Sequence, residues 1–177
     1  TGIIMHLIVN DGFTTLELMI TLSILAILAS VAVPSYQSMM VQSRLTTQTN
    51  ELVTTLHFTR SEAIKRGSRV TICKSNNGAS CTTGSNWHDG WIVFTDTSVS
   101  GTVDGTDQVL RVFPALKGST LMSGGNFQNW LSYMPNGRAL SGNFQNDTFS
   151  FCASTKRRDV VINGTGRPQI DKSVATC

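Results

Sequence analysis

Residues 13–33 form an apolar block interrupted by one charge, Glu17, the only charged side chain between Asp11 and Arg44. A run of about 20 apolar residues is long enough to cross a bilayer as a helix. A carboxylate inside such a span costs about 2.5–3.5 kcal/mol near its centre. Glu17, one turn into the block, therefore has two readings. It reaches back to the headgroups, where the penalty falls away, or it holds a specific partner.

The flanking residues favour a partner. The segment opens Gly12-Phe13-Thr14-Thr15-Leu16-Glu17, continues Leu18-Met19-Ile20-Thr21-Leu22-Ser23-Ile24-Leu25-Ala26-Ile27-Leu28-Ala29, and meets a proline at Pro34. It resembles the processing site of type IV pilins and type II secretion pseudopilins. That resemblance implies cleavage by a prepilin peptidase between Gly12 and Phe13, N-methylation of Phe13, and an assembly role for Glu17. In a filament the Glu17 carboxylate would meet the amine of a neighbour's Phe13 away from water. Leaving a buried charge unpaired is strongly unfavourable, so such pairing would help set the register of assembly. The implied organisation is a leader over 1–12, a transmembrane and filament-core helix over 13–34, and a periplasmic domain over 35–177. The leader departs from the family in carrying no Lys or Arg and in placing Asp11 beside the cut, so the positive-inside rule does not orient it. Met5 is read as a start, and residues 1–4 receive no function. The apolar block lacks the basic flank and small-residue exit of a cleavable secretory signal and is expected to stay attached.

The hydrophobic share of 40% is ordinary but unevenly placed, with a solid block first and a Gly-, Ser-, Thr- and Asn-rich remainder sized for one domain. The four cysteines, Cys73, Cys81, Cys152 and Cys177, allow three pairings. Export favours disulfides, and proximity favours Cys73 with Cys81, which leaves Cys152 and Cys177 to clip the C-terminal tail onto a core strand. Their spacing is not that of a metal site.

Beyond Pro34, which should bend the helix, Leu45, Leu52, Leu56 and Ala63 recur at helical spacing between polar residues. One long helix over about 13–66 is expected, ended by Gly67, with Glu62 and Arg66 placed for an i to i+4 pair. The period then changes. Segments 70–73, 90–95, 108–113, 130–134, 148–152 and 160–162 are short runs rich in β-branched and aromatic residues between turn residues. An antiparallel sheet packed on the second half of the helix follows, an α+β fold.

Several stretches narrow the resemblance: Arg60-Ser61-Glu62-Ala63-Ile64-Lys65-Arg66-Gly67, Val70-Thr71-Ile72-Cys73, Trp87-His88-Asp89-Gly90-Trp91-Ile92-Val93-Phe94, Pro135-Asn136-Gly137-Arg138 and Gly166-Arg167-Pro168. They look like the GspH/FimT group of minor pseudopilins and minor pilins, with a type IV pilin-like fold. The group implies a non-enzymatic subunit of a pilus or type II secretion pseudopilus, placed near the tip in assembly initiation and anchored in the inner membrane. Its partners would be other minor and major subunits. Trp87 and Trp91 are read as packing a hairpin against the helix, in preference to forming a binding platform.

His6, His57 and His88 are scattered, and no nucleophile elbow or phosphate-cradling loop is present. The reading is of no enzyme, no cofactor and no metal. Asp96, Asp104 and Asp107 supply hard oxygen ligands, but their spacing fits no standard calcium loop, and a solvated hairpin loop is expected.

From residue 153 to the end, five basic residues (Lys156, Arg157, Arg158, Arg167, Lys172) face two acids (Asp159, Asp171), a surplus of +3 that equals the net charge of the whole chain. A basic cluster can grip phosphates. It also resembles the C-terminal region by which FimT-type minor pilins bind incoming DNA through a Gly-Arg-x-Arg motif, except that Gln169 stands at the final arginine. Three accounts remain open for the tail: a solvated rim, a contact surface for the next minor subunit, or a site for duplex DNA in natural transformation.

Overall fold

A computed structural model describes residues 12–84 and 86–177, with side chains described except at 172–175. Residues 1–11, which fall in the expected leader over 1–12, and the side chain of Lys172 lie outside the described residues. One helix, α1 (Thr15–Arg66), runs unbroken through Pro34. The hydroxyl of Thr14 starts it by accepting the Glu17 N–H at 3.2 Å, as an N-cap residue does. At the other end Lys65 and Arg66 occupy the last turn, and Gly67 adopts the left-handed backbone (φ 63°) that closes many helices. The chain divides into two compact units at Met40/Val41.

In the first unit every described residue is exposed. Its helix hydroxyls bond to the backbone one turn back: Thr21 to the Leu18 carbonyl at 2.9 Å, Ser23 to Met19 at 2.7 Å and Ser30 to Ile27 at 2.7 Å. These side chains therefore satisfy their donors without water, as a helix in an apolar medium requires.

In the second unit α1 buries Leu45, Gln48, Thr49, Leu52, Thr55, Leu56, Thr59 and Ala63. Leucines at this spacing return to one face of a helix, and full burial of each contributes about 1.5–3 kcal/mol. The interleaved threonines are tolerated because Thr49, Thr55 and Thr59 donate to carbonyls four residues back.

Among the described residues nine strands follow: β1 (Val70–Lys74), β2 (Trp91–Thr95), β3 (Val109–Phe113), β4 (Thr120–Ser123), β5 (Trp130–Tyr133), β6 (Ala139–Leu140), β7 (Asp147–Ala153), β8 (Lys156–Ile162) and β9 (Pro168–Ala175). All pairings are antiparallel, in two sheets with orders β3-β2-β1-β5-β6 and β4-β7-β8-β9. The single sheet expected from the sequence is thus two. Strands β4, β6 and β9 were not expected, and β8 extends the expected 160–162 backward through the charged run Lys156 to Asp159. A tight turn with Ser154 in the left-handed region (φ 55°) reverses the chain between β7 and β8.

Strands β1 and β2 of sheet one are buried on both faces. Val70, Ile72, Trp91, Val93, Leu131 and Tyr133 join the main core with the helix leucines and with Phe149, Phe151, Val160 and Ile162 of sheet two. Cys73, Ile92 and Phe94 point the other way into a smaller cluster closed by Cys81, Val103, Val109 and Trp130. Trp130 lies on Gly101, where an added Cβ would come within 2.4 Å of the indole. Trp87 sits in a 3-10 turn (Trp87–Asp89), donates to the Phe127 carbonyl at 3.0 Å, and meets Phe149 edge-on. Trp91 stacks on Phe113.

Asp96 is not part of a solvated loop, as the sequence had suggested. Its fully buried carboxylate pairs with Arg69 at 2.7 Å and accepts from the Thr71 hydroxyl at 2.6 Å and the Gly101 N–H at 2.8 Å. Thr71, its proton so committed, accepts from Ser132. A buried carboxylate is tolerable only when paired and hydrogen-bonded in this way.

Candidate functional site

Three regions carry the residues singled out by sequence. The first is the start of α1. Gly12 and Phe13 precede the helix, Phe13 is 84% exposed, and Glu17 is exposed in the first turn. From there Leu16, Met19, Leu25, Ile27, Leu28 and Val31 are all well exposed. Among the described residues this is the one helix long and apolar enough to cross a membrane. Exposed apolar surface on this scale marks an interaction surface, whether lipid or protein.

The second region is the pair of disulfides. Cys73–Cys81 (Cα–Cα 5.6 Å) anchors the turn after β1, and Cys152–Cys177 (Cα–Cα 5.8 Å) ties the end of the chain to β7. Within the first turn Asn77 organises the loop, its Oδ1 accepting the N–H groups of Ala79 and Ser80.

The third is the basic tail, which the fold disperses. Arg157 and Arg158 are neighbours on a strand, so they point to opposite faces of sheet two. Arg157 is engaged: Nε donates to Asp159 at 2.8 Å and Nη2 to the Ser150 hydroxyl at 2.9 Å. The Asp159 carboxylate also raises the Arg157 pKa. Arg167 lines a concave groove together with two arginines from elsewhere in the chain, Arg60 of α1 and Arg138. Sequence reasoning missed this meeting, although the stretches around Arg60, Gly137 and Gly166 had each been noted.

The meeting depends on two glycines with left-handed backbone. Gly137 (φ 77°) receives the Arg60 Nε on its carbonyl at 2.9 Å. Gly166 (φ 76°) approaches so closely that an added Cβ would lie 2.5 Å from the Gly137 oxygen and 2.8 Å from the Ala139 nitrogen. Only glycine permits both the conformation and the backbone contact. Helix, β5–β6 turn and β8–β9 turn thereby converge, with Asn136, Asn163 and Gln169 completing the walls of a groove of about 740 Å³.

The aspartates of the 96–107 loop are occupied internally. Asp104 is held by Ser98 and Thr106, which lower its pKa, and Asp107 accepts from Thr97. Among the described residues, no three His, Cys, Asp or Glu side chains are grouped to hold a metal ion.

A capped apolar helix followed by an amphipathic half packed on antiparallel strands defines a pilin-like fold. Residues 48–166 match the family described as Type II transport protein GspH. The chain belongs to the GspH family. In fold it is similar to the type IV minor pilin FimU of Pseudomonas aeruginosa (strain PAO1) in two crystal forms. One is 19% identical, covers 75% of this chain and 93% of that chain, and has a TM-score of 0.59. The other is 21% identical, covers 73% and 96%, and has a TM-score of 0.57. A comparison with curated proteins gave no match. Family and fold neighbours are pilin subunits rather than enzymes.

Proposed function

We propose that this chain is a minor pilin or pseudopilin, a non-enzymatic filament subunit processed between Gly12 and Phe13 and anchored in the inner membrane before assembly. The observation that carries the reading is the first unit's helix, wholly exposed and apolar, with its one carboxylate, Glu17, a single turn from Phe13. Residues 1–12 act as the leader cut by prepilin peptidase. Residues 13–34 pass from membrane to filament core, and residues 35–177 form the periplasmic domain. N-methylated Phe13 of one subunit meets Glu17 of the next, and the subunit acts near the tip, among other minor subunits, in assembly initiation. The test is incorporation of the full-length chain into filaments. Glu17→Ala should reduce incorporation strongly with the domain still folded, and mass spectrometry of the wild type should find a mature N-terminus at methylated Phe13. Normal incorporation of Glu17→Ala would remove the role given to the carboxylate.

Duplex DNA uptake through Lys156, Arg157, Arg158, Arg167 and Lys172 has weaker support. Arg157 is committed to Asp159 and Ser150, and Arg158 is on the opposite face of β8 from Arg157. Duplex binding scales with the number of phosphates neutralised at once and falls steeply with salt. A gel shift at low salt that weakens on Arg158→Glu and Arg167→Glu would restore the DNA reading.

A further inference from the structure

The groove between Arg60, Arg138 and Arg167 is lined by these three cations and by neutral polar residues. The side-chain oxygen of Asn136 accepts the Arg138 N–H at 3.1 Å, and that of Asn163 accepts the N–H and hydroxyl of Thr165 and the N–H of Arg167. Both amide oxygens are thus engaged within their own turns. Arg60 spends only Nε on Gly137, and Arg138 spends one Nη on Gln145. Among the described residues no hydrogen bond or ion pair engages the Arg167 guanidinium. No carboxylate lines the groove, and the positive surface continues across Arg60 into a second cleft bordered by Lys65.

Three guanidinium groups with no carboxylate among them form a surface for an acceptor-only anion. Planar forks match carboxylates in bidentate fashion. The groove volume falls within the usual range for a pocket that encloses a small group, about 300–1,000 Å³. Against a single-stranded nucleic acid, no aromatic side chain lines the groove to stack a base. The engaged Arg157 also breaks any continuous basic track from the groove along β8.

We propose that this groove docks a short acidic, carboxylate-bearing segment of a neighbouring filament subunit, a proposal that rests on the filament reading above. The close approach of Gly137 and Gly166 brings the three backbone segments together before docking, and the Gly137 carbonyl holds Arg60, which lowers the ordering needed when the segment arrives.

The test uses the full-length chain in detergent micelles and a fluorescent hexaglutamate peptide followed by anisotropy at low salt, with hexaglutamine and a short DNA duplex as competing probes. Hexaglutamate should bind and hexaglutamine should not. Arg138→Gln and Arg167→Gln should each weaken binding roughly threefold to tenfold, and the double variant should abolish it. Lys117→Gln, elsewhere on the surface, should leave it unchanged. Both arginines are exposed, and an unchanged thermal melt of each variant reports an intact fold. Equal binding by the arginine variants, equal loss in Lys117→Gln, or preference for the duplex with the same arginine dependence would overturn the proposal, the last by assigning the groove to nucleic acid. Failure of the peptide to bind a chain that still incorporates through Glu17 sinks the groove alone. Binding by a chain whose incorporation ignores Glu17→Ala sinks the filament reading instead.

Discussion

The two halves of α1 share a backbone and little else. Before Met40 every described side chain is exposed, and leucine, isoleucine and methionine point in all directions. After Val41 the apolar residues contract to one stripe, and Leu45, Leu52, Leu56 and Ala63 are almost completely buried. Helical period in the second half reports a core that the domain supplies for itself. Absence of period in the first half reports that its surroundings lie outside the chain. A helix apolar all round is the pattern of a membrane span or of a core built by neighbours.

The largest expected effect tests that contrast directly. Leu56→Ala should lower domain stability by about 2–5 kcal/mol in unfolding of the full chain. Leu25→Ala should change it by less than about 0.5 kcal/mol. Equal effects would erase the distinction between the halves. Next in size, replacing Cys152 and Cys177 by serine should cost the domain about 3 kcal/mol through the 25-residue separation they close, and more than removal of the 8-residue Cys73–Cys81 link on loop entropy alone. Denaturant midpoints with and without reductant give both numbers.

A smaller effect concerns Tyr133, fully buried with no hydrogen-bond partner for its hydroxyl among the described residues. Burial pushes its pKa above the ordinary value of 10.0. Stability from the neutral phenol is therefore complete below pH 10 and is lost as pH rises through the raised value. Tyr133→Phe should be neutral or stabilising at pH 7 and should flatten the alkaline loss in melts taken across that range. An unchanged alkaline slope would remove Tyr133 as its source. Smallest is Glu62→Gln, which breaks the 2.7 Å contact with Arg66 for a few tenths of a kcal/mol. Arg66 holds the Glu62 carboxyl below its ordinary value of 4.5, so this contribution is present above that pH and fades as pH falls through the lowered value. A variant that differs from wild type equally at pH 3 and pH 7 would contradict that account.

The helix was legible because its signals are local: a leucine spacing and a glycine after Arg66. Strands β1 and β2 were legible from unbroken runs such as Trp91-Ile92-Val93-Phe94, continuous because both faces of the sheet are covered. Strands β4 and β9 carry Ser, Asp and Lys, and the start of β8 is a run of charges; what makes them strands is pairing with β7 and with each other. The stretches at Arg60, Gly137 and Gly166 stood out individually, but their meeting joins residues 77 positions apart. No periodicity encodes such a contact. Asp96 was misread for a related reason, since its partner Arg69 lies 27 residues away.

The Cys152–Cys177 link has one further consequence. Strand β9 is the terminal, outermost strand of its sheet, and Cys177 follows it while Cys152 belongs to β7 on the far side of β8. Terminal strands are the segments that identical molecules most easily exchange when crowded together. With its end bonded across β8, this one cannot leave its own sheet for another's without reduction. Each copy that joins an assembly therefore enters as a closed fold, with contacts between copies confined to surfaces already formed.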